Sequence, residues 1–284
     1  MKTNNSAVSD QLARWFFSFA FVVQLYYFVN SAMLSSLLRP VLVYPSTDIT
    51  YWFLLHYRIP QTLTQTPFLP ATFDVLLFFV IAAAHFLTES RRWWAFCYTI
   101  LIALYMITFG IYSGHHFHGL VMLLLGSIPF WFSGSKQFPL IAEGARYYFL
   151  FIFSSAFAWK FLRGGLFQPQ QMVNILKAQH ASFLYTDAST WHASFLRYFI
   201  IHPEAAQALL IAAALLQACF WVGFFTKKWD TALFYLAILF CALNLLVMRI
   251  PSFEILAGLI FLRLEAFQKP KGELPVSFFP RWMR

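Results

Sequence analysis

Charged residues are scarce in this sequence. Only 11% of its 284 residues are Asp, Glu, Lys or Arg, whereas a soluble globular domain carries about a quarter. So little charge cannot cover a water-facing surface, but a surface in contact with lipid needs almost none. The shortage of charge therefore argues against an ordinary soluble domain and indicates a membrane protein.

Cysteines and catalytic motifs are also sparse. Cys97, Cys219 and Cys241 lie in separate apolar runs without CxxC spacing, which predicts buried apolar residues rather than a disulfide or metal set. The chain lacks GxGxxG, phosphate-loop, HExxH, GxSxG and CxxCH motifs. These absences argue against a nucleotide-dependent enzyme, a protease and a covalently attached cytochrome.

What the sequence has in abundance is long apolar and aromatic runs. Hydrophobic residues make up 60% of the chain, with 36 Phe, 10 Trp and 13 Tyr. A membrane-spanning helix needs about 20 largely apolar residues. We predict an all-α, polytopic transmembrane helical bundle of about eight spans: 15–37, 71–87, 93–112, 116–132, 147–162, 204–225, 231–247 and 253–266. The fourth and eighth runs are short, so seven spans is the alternative.

The net charge of +9 is distributed between the apolar runs rather than gathered in one patch. This predicts a lipid-bilayer partner and no nucleic acid. Eight spans with N- and C-termini cytoplasmic place most basic residues in inner turns, as the positive-inside rule requires: Arg91, Arg92, Lys136, Arg146, Lys227, Lys228 and the tail Lys269, Lys271, Arg281 and Arg284. We expect an integral membrane protein of the bacterial inner membrane.

The order of the runs predicts two membrane halves, 1–139 and 140–284. Each half has one span, a long outer excursion and then three spans with short turns, so a duplication of four helices is an open possibility. In the second excursion Met172, Leu176 and Phe183 follow helical spacing, with Asn174 and Lys177 on the other face. This pattern predicts an amphipathic helix lying in the outer interface with its apolar side down.

Lys160 is the main candidate for chemistry, because ionisable side chains are costly inside a membrane. It lies about 14 residues, or about 20 Å of helix, after Arg146, near the predicted outer end of the fifth span. Apolar surroundings favour a neutral amine, which makes Lys160 a candidate catalytic base. The alternative is a lysine that reaches toward the outer headgroups and has no chemical role.

A histidine-rich segment, 113–119, begins the fourth predicted span. His115 and His118 are three residues apart, so a helix would place both on one face. We predict His116 as a catalytic proton partner, and His115 and His118 as ligand-binding residues. Two histidines at this spacing are a weak metal signal, so no metal site is predicted. Anchoring at the interface is the alternative.

Three other polar residues complete the predicted site. Asp74 and Glu254 fall at the outer ends of their predicted spans, and Asn244 lies deeper in the seventh. An amide in mid-membrane needs a buried partner or a wet cavity. We predict that Asn244, Asp74 and Glu254 contribute to ligand binding.

Two short motifs resemble those of a known membrane superfamily. They are Arg146-Tyr-Tyr-Phe with Ser155-Ala-Phe-Ala-Trp-Lys160 and Gly164-Gly165, and Gly114-His115-His116-Phe-His118-Gly119-Leu. Together they resemble the DoxX/MauE-like proteins and the HTTM domain of vitamin K-dependent γ-carboxylase, and Asn244 resembles the Asn of that family's late helix. The first motif has a small residue in place of the usual Gly before the Lys. The second lacks its Asn, and Cys241 or Ala242 stands where a late His is expected.

The resemblance implies one of two activities. DoxX- and MauE-like members are accessory subunits of redox or thiol systems, and the carboxylase uses the lysine that matches Lys160 to deprotonate a reduced quinone. Our first hypothesis is a subunit of a larger membrane complex, holding a quinone or lipid-like ligand in an outward-facing polar pocket beside a membrane or periplasmic partner. The alternatives are an HTTM-type enzyme with Lys160 as base, and a structural scaffold or transporter-like bundle without chemistry.

Overall fold

The computed structural model describes residues 2–37, 49–66, 68–113, 120–250 and 252–264. Within these ranges every regular element is helical and no strand occurs. This confirms the all-α part of the predicted fold class. A helix is the one single-segment structure that satisfies its own backbone hydrogen bonds in lipid.

The described residues form twelve α-helices and five 3₁₀ segments. The α-helices are α1 (Lys2–Val29), α2 (Ile49–His56), α3 (Ile59–Gln65), α4 (Leu69–Phe86), α5 (Arg91–Ser113), α6 (Leu120–Ser127), α7 (Phe138–Leu162), α8 (Gln171–Thr186), α9 (Trp191–Ile201), α10 (Pro203–Ala218), α11 (Val222–Phe225) and α12 (Asp230–Met248). The 3₁₀ segments are Leu34–Ser36, Ile128–Phe132, Gly165–Phe167, Cys219–Trp221 and Phe253–Arg263.

Five stretches are long and apolar enough to cross a membrane, as expected of an integral membrane protein. They are Ala7–Ser36, Leu69–Phe86, Arg91–Gly110, Pro203–Phe225 and Asp230–Met248. The last has 19 residues, or about 28 Å at 1.5 Å per residue, close to the thickness of about 30 Å of a bilayer core.

The other predicted spans are shorter or more polar. Leu120–Phe132 is a short apolar helix that ends as 3₁₀, and Phe253–Arg263 is a 3₁₀ segment of 11 residues. At about 2 Å per residue this second segment extends about 22 Å, less than a bilayer core. Helix α7 has 25 residues but carries Arg146 and Lys160. The count of eight spans and the cytoplasmic termini remain predictions.

Local sequence explains where several helices begin. Helix α4 has Pro70 in its first turn and α10 starts at Pro203, where the missing N–H of proline costs no helical hydrogen bond. Thr190 precedes α9, and its hydroxyl accepts the Ala193 N–H at 3.2 Å, as an N-cap residue does.

The structure divides into two compact units. Unit 1 comprises Met1–Ala145 and Phe253–Arg284, and unit 2 comprises Arg146–Ser252. In unit 1, α1 packs on α4, α4 on α5, and Phe253–Arg263 on α1 and α6. Its core is aromatic: the ring centroids of Phe16 and Phe130 lie 5.2 Å apart, and those of Phe130 and Phe261 lie 6.4 Å apart.

Unit 2 contains most of α7 together with α8 to α12. Phe153 of α7 stacks on Phe220 with 4.2 Å between ring centroids. The amphipathic helix predicted in the second excursion is α8, with Asn174 and Lys177 exposed. Its apolar side packs against α9, α10 and α12 rather than facing lipid: the buried cluster contains Met172, Val173, Leu176, Leu196, Ala206, Leu210 and Val247.

The order of elements recurs along the chain. A long helix is followed by two short helices, two apolar helices and a short apolar segment, first in α1 to Phe132 and again in α7 to Arg263. The last segment belongs to unit 1 by its contacts. Duplication of the halves 1–139 and 140–284 remains a prediction.

Candidate functional site

Lys160 lies on α7 with its amine turned back along the helix. The Nζ atom donates to Gln217 Oε1 at 2.8 Å and to the Ala156 carbonyl at 3.4 Å, one turn earlier in α7. A lysine that reaches for headgroups from this position would extend past Leu162, the end of α7. The observed direction is the opposite, so the half-buried amine is directed to Gln217 of α10.

Gln217 is the only side chain among the described residues that hydrogen bonds to the Lys160 amine. It comes from α10 and is 5% exposed. Its amide is neutral, so the lysine has a hydrogen-bond acceptor but no counter-ion in this contact. An ammonium carries three N–H donors, and the two protein bonds leave one donor for another acceptor.

Two serines of α7 lie between one and two turns before Lys160. The hydroxyls of Ser154 and Ser155 donate to carbonyls of their own helix, Leu150 at 2.8 Å and Ile152 at 3.2 Å. Such back-bonding makes a serine compatible with apolar surroundings. The Trp221 indole N–H donates to the Ser154 carbonyl at 3.4 Å, which ties the end of α10 to the middle of α7.

An open groove of about 350 Å³ is lined in part by this serine pair. Its walls are aromatic and aliphatic apart from the two hydroxyls: Phe151, Ser154, Ser155, Ala158, Trp159, Leu162 and Trp221. Lys160 does not line it. The groove therefore offers an apolar surface suited to a hydrocarbon chain, and Trp221 contributes to it one helical turn after Gln217.

A buried ion pair joins the first half of α7 to the start of α12. Arg146 Nε and one terminal nitrogen donate to the two carboxylate oxygens of Asp230 at 2.7 and 2.6 Å, and the same nitrogen donates to the Gly223 carbonyl at 2.9 Å. Arg146 is 1% exposed. This two-point geometry is the strong form of an Arg–carboxylate contact, and it positions the helix that carries Lys160.

Sequence reasoning missed this pair. It assigned Arg146 to a basic inner turn and gave Asp230 no role, because 84 residues separate them. The available signal was an acidic residue at the very start of an apolar run, which needs a partner when it is buried.

Asn244 has a partner within unit 2. Its amide nitrogen donates to Ser252 Oγ at 3.0 Å, and the Cys241 thiol lies 3.8 Å from the Ser252 carbonyl. This bond gives the amide the buried partner that the sequence required. In the described part of the chain, Lys160 and Asn244 have different hydrogen-bond partners.

Asp74 and Glu254 lie in unit 1, where protein groups satisfy them. The Asp74 carboxylate accepts the backbone N–H groups of Leu34 at 3.3 Å and Ser35 at 2.9 Å, so it holds the turn after α1. Glu254 accepts a hydrogen bond from the Tyr27 hydroxyl. Their predicted ligand-binding role remains a prediction.

The predicted histidines His115, His116 and His118 lie outside the described residues. Within the described ranges, no group of three His, Cys, Asp or Glu side chains is placed to hold a metal ion.

Two other histidines make contacts that the sequence did not predict. His180 of α8 donates through Nε2 to the Val247 carbonyl at 2.9 Å, and His192 of α9 donates to the Leu246 carbonyl at 2.8 Å. Burial lowers the pKa of the His180 imidazole; the bond to Val247 opposes this effect, while His192 and Arg249 add to it.

Comparisons with known proteins yield no relative. No family model, curated protein or solved structure matches the chain. The resemblance to DoxX/MauE-like and HTTM proteins therefore remains a prediction from the two motifs.

Proposed function

We propose that this integral membrane protein holds a lipid-like molecule with a polar oxygen-bearing head, such as a quinone, beside α7 and α10 of unit 2. Lys160 is the observation that carries the proposal. Its amine is turned into the helix contact, is held by a neutral amide and keeps one N–H donor for a ligand oxygen. A half-buried lysine in an apolar helix of a membrane protein, held by a neutral amide rather than a carboxylate, is costly, which favours a functional role.

The neighbouring groove supports the same proposal. A ligand tail can lie along Ser155, Ala158 and Trp159, and Trp221 connects this surface to the Gln217 helix. Ligand sites combine a mostly apolar wall with few polar groups, and this part of unit 2 has that composition. In the cell we propose a subunit of a redox-linked complex of the bacterial inner membrane, with a membrane or periplasmic partner protein.

A second candidate function is quinol-coupled catalysis with Lys160 as the base. The neutral partner Gln217 favours it, because a lysine without a carboxylate partner loses its proton more readily than an ion-paired one. The likeness of the α7 motif to the HTTM family leads to the same candidate.

Mass spectrometry of lipid extracts tests the first candidate. Wild type and Lys160→Met are purified gently, with Lys177→Met as the control because Lys177 is an exposed lysine of α8. We expect wild type and the control to retain a specific quinone or lipid and Lys160→Met to lose it. Equal bulk-like lipid in all three, with a stoichiometric protein partner, would leave the chain as a scaffold.

The variant Lys160→Arg separates binding from catalysis. Arginine keeps a positive donor but does not release its proton in proteins. Retained ligand with normal quinol-dependent turnover would exclude Lys160 as the base. Retained ligand with turnover lost would establish the enzyme.

A further inference from the structure

The last turn of α12 is satisfied by two different elements. The Leu245 carbonyl accepts the backbone N–H of Arg249 at 3.0 Å, which closes the helix in the usual way. The next two carbonyls, Leu246 and Val247, accept His192 and His180. Carbonyls at a helix end have no partner in their own helix, so the two imidazoles complete the cap.

Both histidines belong to the excursion between α7 and α10. His180 is on α8 and His192 is on α9, and their ring centroids are 6.5 Å apart. Arg197 of α9 donates to carbonyls at the end of α8 and the start of the following turn, Leu184 and Ala188. Helices α8 and α9 therefore form one hairpin, and its two imidazoles reach the same end of α12.

We propose that His180 and His192 form a latch that fastens the α8–α9 hairpin to the end of α12, and that protonation of the buried His180 releases it in acid. A protonated imidazole can still donate to a carbonyl, and the negative end of a helix favours a cation. The release therefore depends on what else surrounds the rings.

The surroundings of His180 disfavour an added charge. His180 is 2% exposed, so its cation would lose most of its hydration. The guanidinium of Arg249, after α12, lies 4.0 Å from the ring centroid of Phe183, and that ring lies 5.4 Å from the His192 ring. The Arg249 cation therefore lies near the two imidazoles, whose ring centroids are 6.5 Å apart, and it opposes a charge on His180.

In the described residues no hydrogen bond or ion pair joins a carboxylate to either imidazole. Helix α10 contributes apolar Ala206 and Leu210 to the cluster beneath α8, and its nearest titratable residues, His202 and Glu204, are exposed. The other charged side chains of the hairpin are also exposed: Lys177 of α8, Arg197 of α9, and Asp187 in the turn between the helices, whose carboxylate accepts the Thr186 hydroxyl.

Proton linkage predicts how the stability of the packed hairpin changes with pH. Burial lowers the pKa of His180 in the packed state, so the detached hairpin, with an ordinary histidine, takes up a proton first. Between the two pKa values the detached state binds more protons, and the packed state loses stability as the pH falls. The latch is closed at neutral pH and opens below the ordinary histidine range.

Hydrogen–deuterium exchange of the full chain in lipid nanodiscs tests the latch. Peptides from 171–201 are followed from about pH 7.5 to about pH 5.5, with correction for the intrinsic exchange rate. In wild type we expect at least about tenfold loss of protection in the hairpin and none in α4. A flat profile, or an equal loss in α4, would overturn the proposal without any variant.

Substitution assigns the effect to the two rings. In His180→Gln with His192→Gln, the amide N–H groups can reach the same carbonyls but do not titrate, so protection should persist at acidic pH. His202→Gln removes an exposed histidine outside the latch and should behave as wild type. An unchanged acid-induced loss in the double variant, or its disappearance in His202→Gln, would contradict the latch.

Discussion

Units 1 and 2 each have an arginine–aspartate ion pair between two helices, and the polarity of the pair differs between the units. In unit 1, Asp10 of α1 pairs with Arg91 at the start of α5, and Arg91 also donates to the Ala84 and His85 carbonyls at the end of α4. In unit 2, Arg146 of α7 pairs with Asp230 at the start of α12 and donates to the Gly223 carbonyl. In the order of elements, α1 and α5 of unit 1 correspond to α7 and α12 of unit 2. The acid is on the first of these helices in unit 1 and on the second in unit 2.

This exchange shows what the pair does in each unit. A pair that transferred protons or bound a ligand would need the acid and the base on particular helices. A pair that only links two helices has the same effect in either arrangement. The difference between the units appears farther along the first helix. Fourteen residues after each anchor, unit 1 has Gln24 and unit 2 has Lys160. The ligand site that we propose at Lys160 therefore has no counterpart in unit 1, and we interpret both ion pairs as structural.

The largest expected effect is from Asp230→Ala. It leaves Arg146 buried without its carboxylate, which costs about 3–5 kcal/mol of unfolding free energy. Asp10→Ala should cost less, because the Asp10 side chain is 41% exposed and water can take its place beside Arg91. Thermal unfolding in detergent, followed by size-exclusion chromatography, compares the two. A larger loss in Asp10→Ala would reverse this ranking.

The charge swap is the control for that prediction. The double variant Arg146→Asp with Asp230→Arg gives unit 2 the polarity of unit 1, and we expect it to recover most of the stability lost in Asp230→Ala. A swap as unstable as the single variant would show that the direction of the pair matters.

The next effect is from Gln24→Lys, which gives unit 1 the lysine of unit 2. Gln24 is 1% exposed and its amide donates to the Met33 sulfur at 2.9 Å. A thioether is a weak acceptor, so a buried ammonium there should cost about 3 kcal/mol. Thermal unfolding of the intact protein without denaturant measures the loss of stability. An unchanged unfolding temperature would mean that unit 1 accepts a lysine as well as unit 2 does.

Two glycines compare the packing of the units. A Cβ on Gly223 would lie 2.6 Å from Leu150 Cδ2, and one on Gly126 would lie 2.8 Å from the Phe16 ring. We expect Gly126→Ala to cost about 1–3 kcal/mol and Gly223→Ala to cost less, because leucine methyl groups can rotate away and the ring is packed on three others. Gly144→Ala is the matched control: nothing lies within 4 Å, and unfolding should show no loss.

The smallest effect on stability is expected for Lys160→Gln. The new amide can still donate toward Gln217, so the cost should stay below about 1 kcal/mol while the bound ligand is lost. A stability loss as large as that of Asp230→Ala would make Lys160 a structural anchor and remove the contrast with Gln24.

Apolar run length predicted much of the fold, because lipid requires helices and few charges. Helix positions followed from it, and spacing alone placed the exposed Asn174 and Lys177 on α8. Apolar run length did not predict the hydrogen-bond partners of the polar residues. In the sequence Gln217 is a neutral residue in an apolar helix. Its partner Lys160 is 57 residues away in the chain, and no local pattern predicts that contact.

The same reason explains the missed latch. His180 and His192 each have unremarkable neighbours, and the carbonyls that they reach belong to a helix end more than 50 residues away. Every residue has a backbone carbonyl, so the residue types do not show which carbonyl accepts a side-chain hydrogen bond. Side-chain patterns therefore do not show which carbonyl a histidine caps.

The distance between Arg146 and Asp230 also has a consequence during biosynthesis. Asp230 follows Arg146 by 84 residues, so at about 5–20 residues per second the arginine waits about 4–17 s for its partner. Until then it has no carboxylate from α12, so its charge has to stay hydrated rather than enter the membrane core. When α12 arrives, Asp230 neutralises the charge and the arginine becomes a permanent link between the two helices.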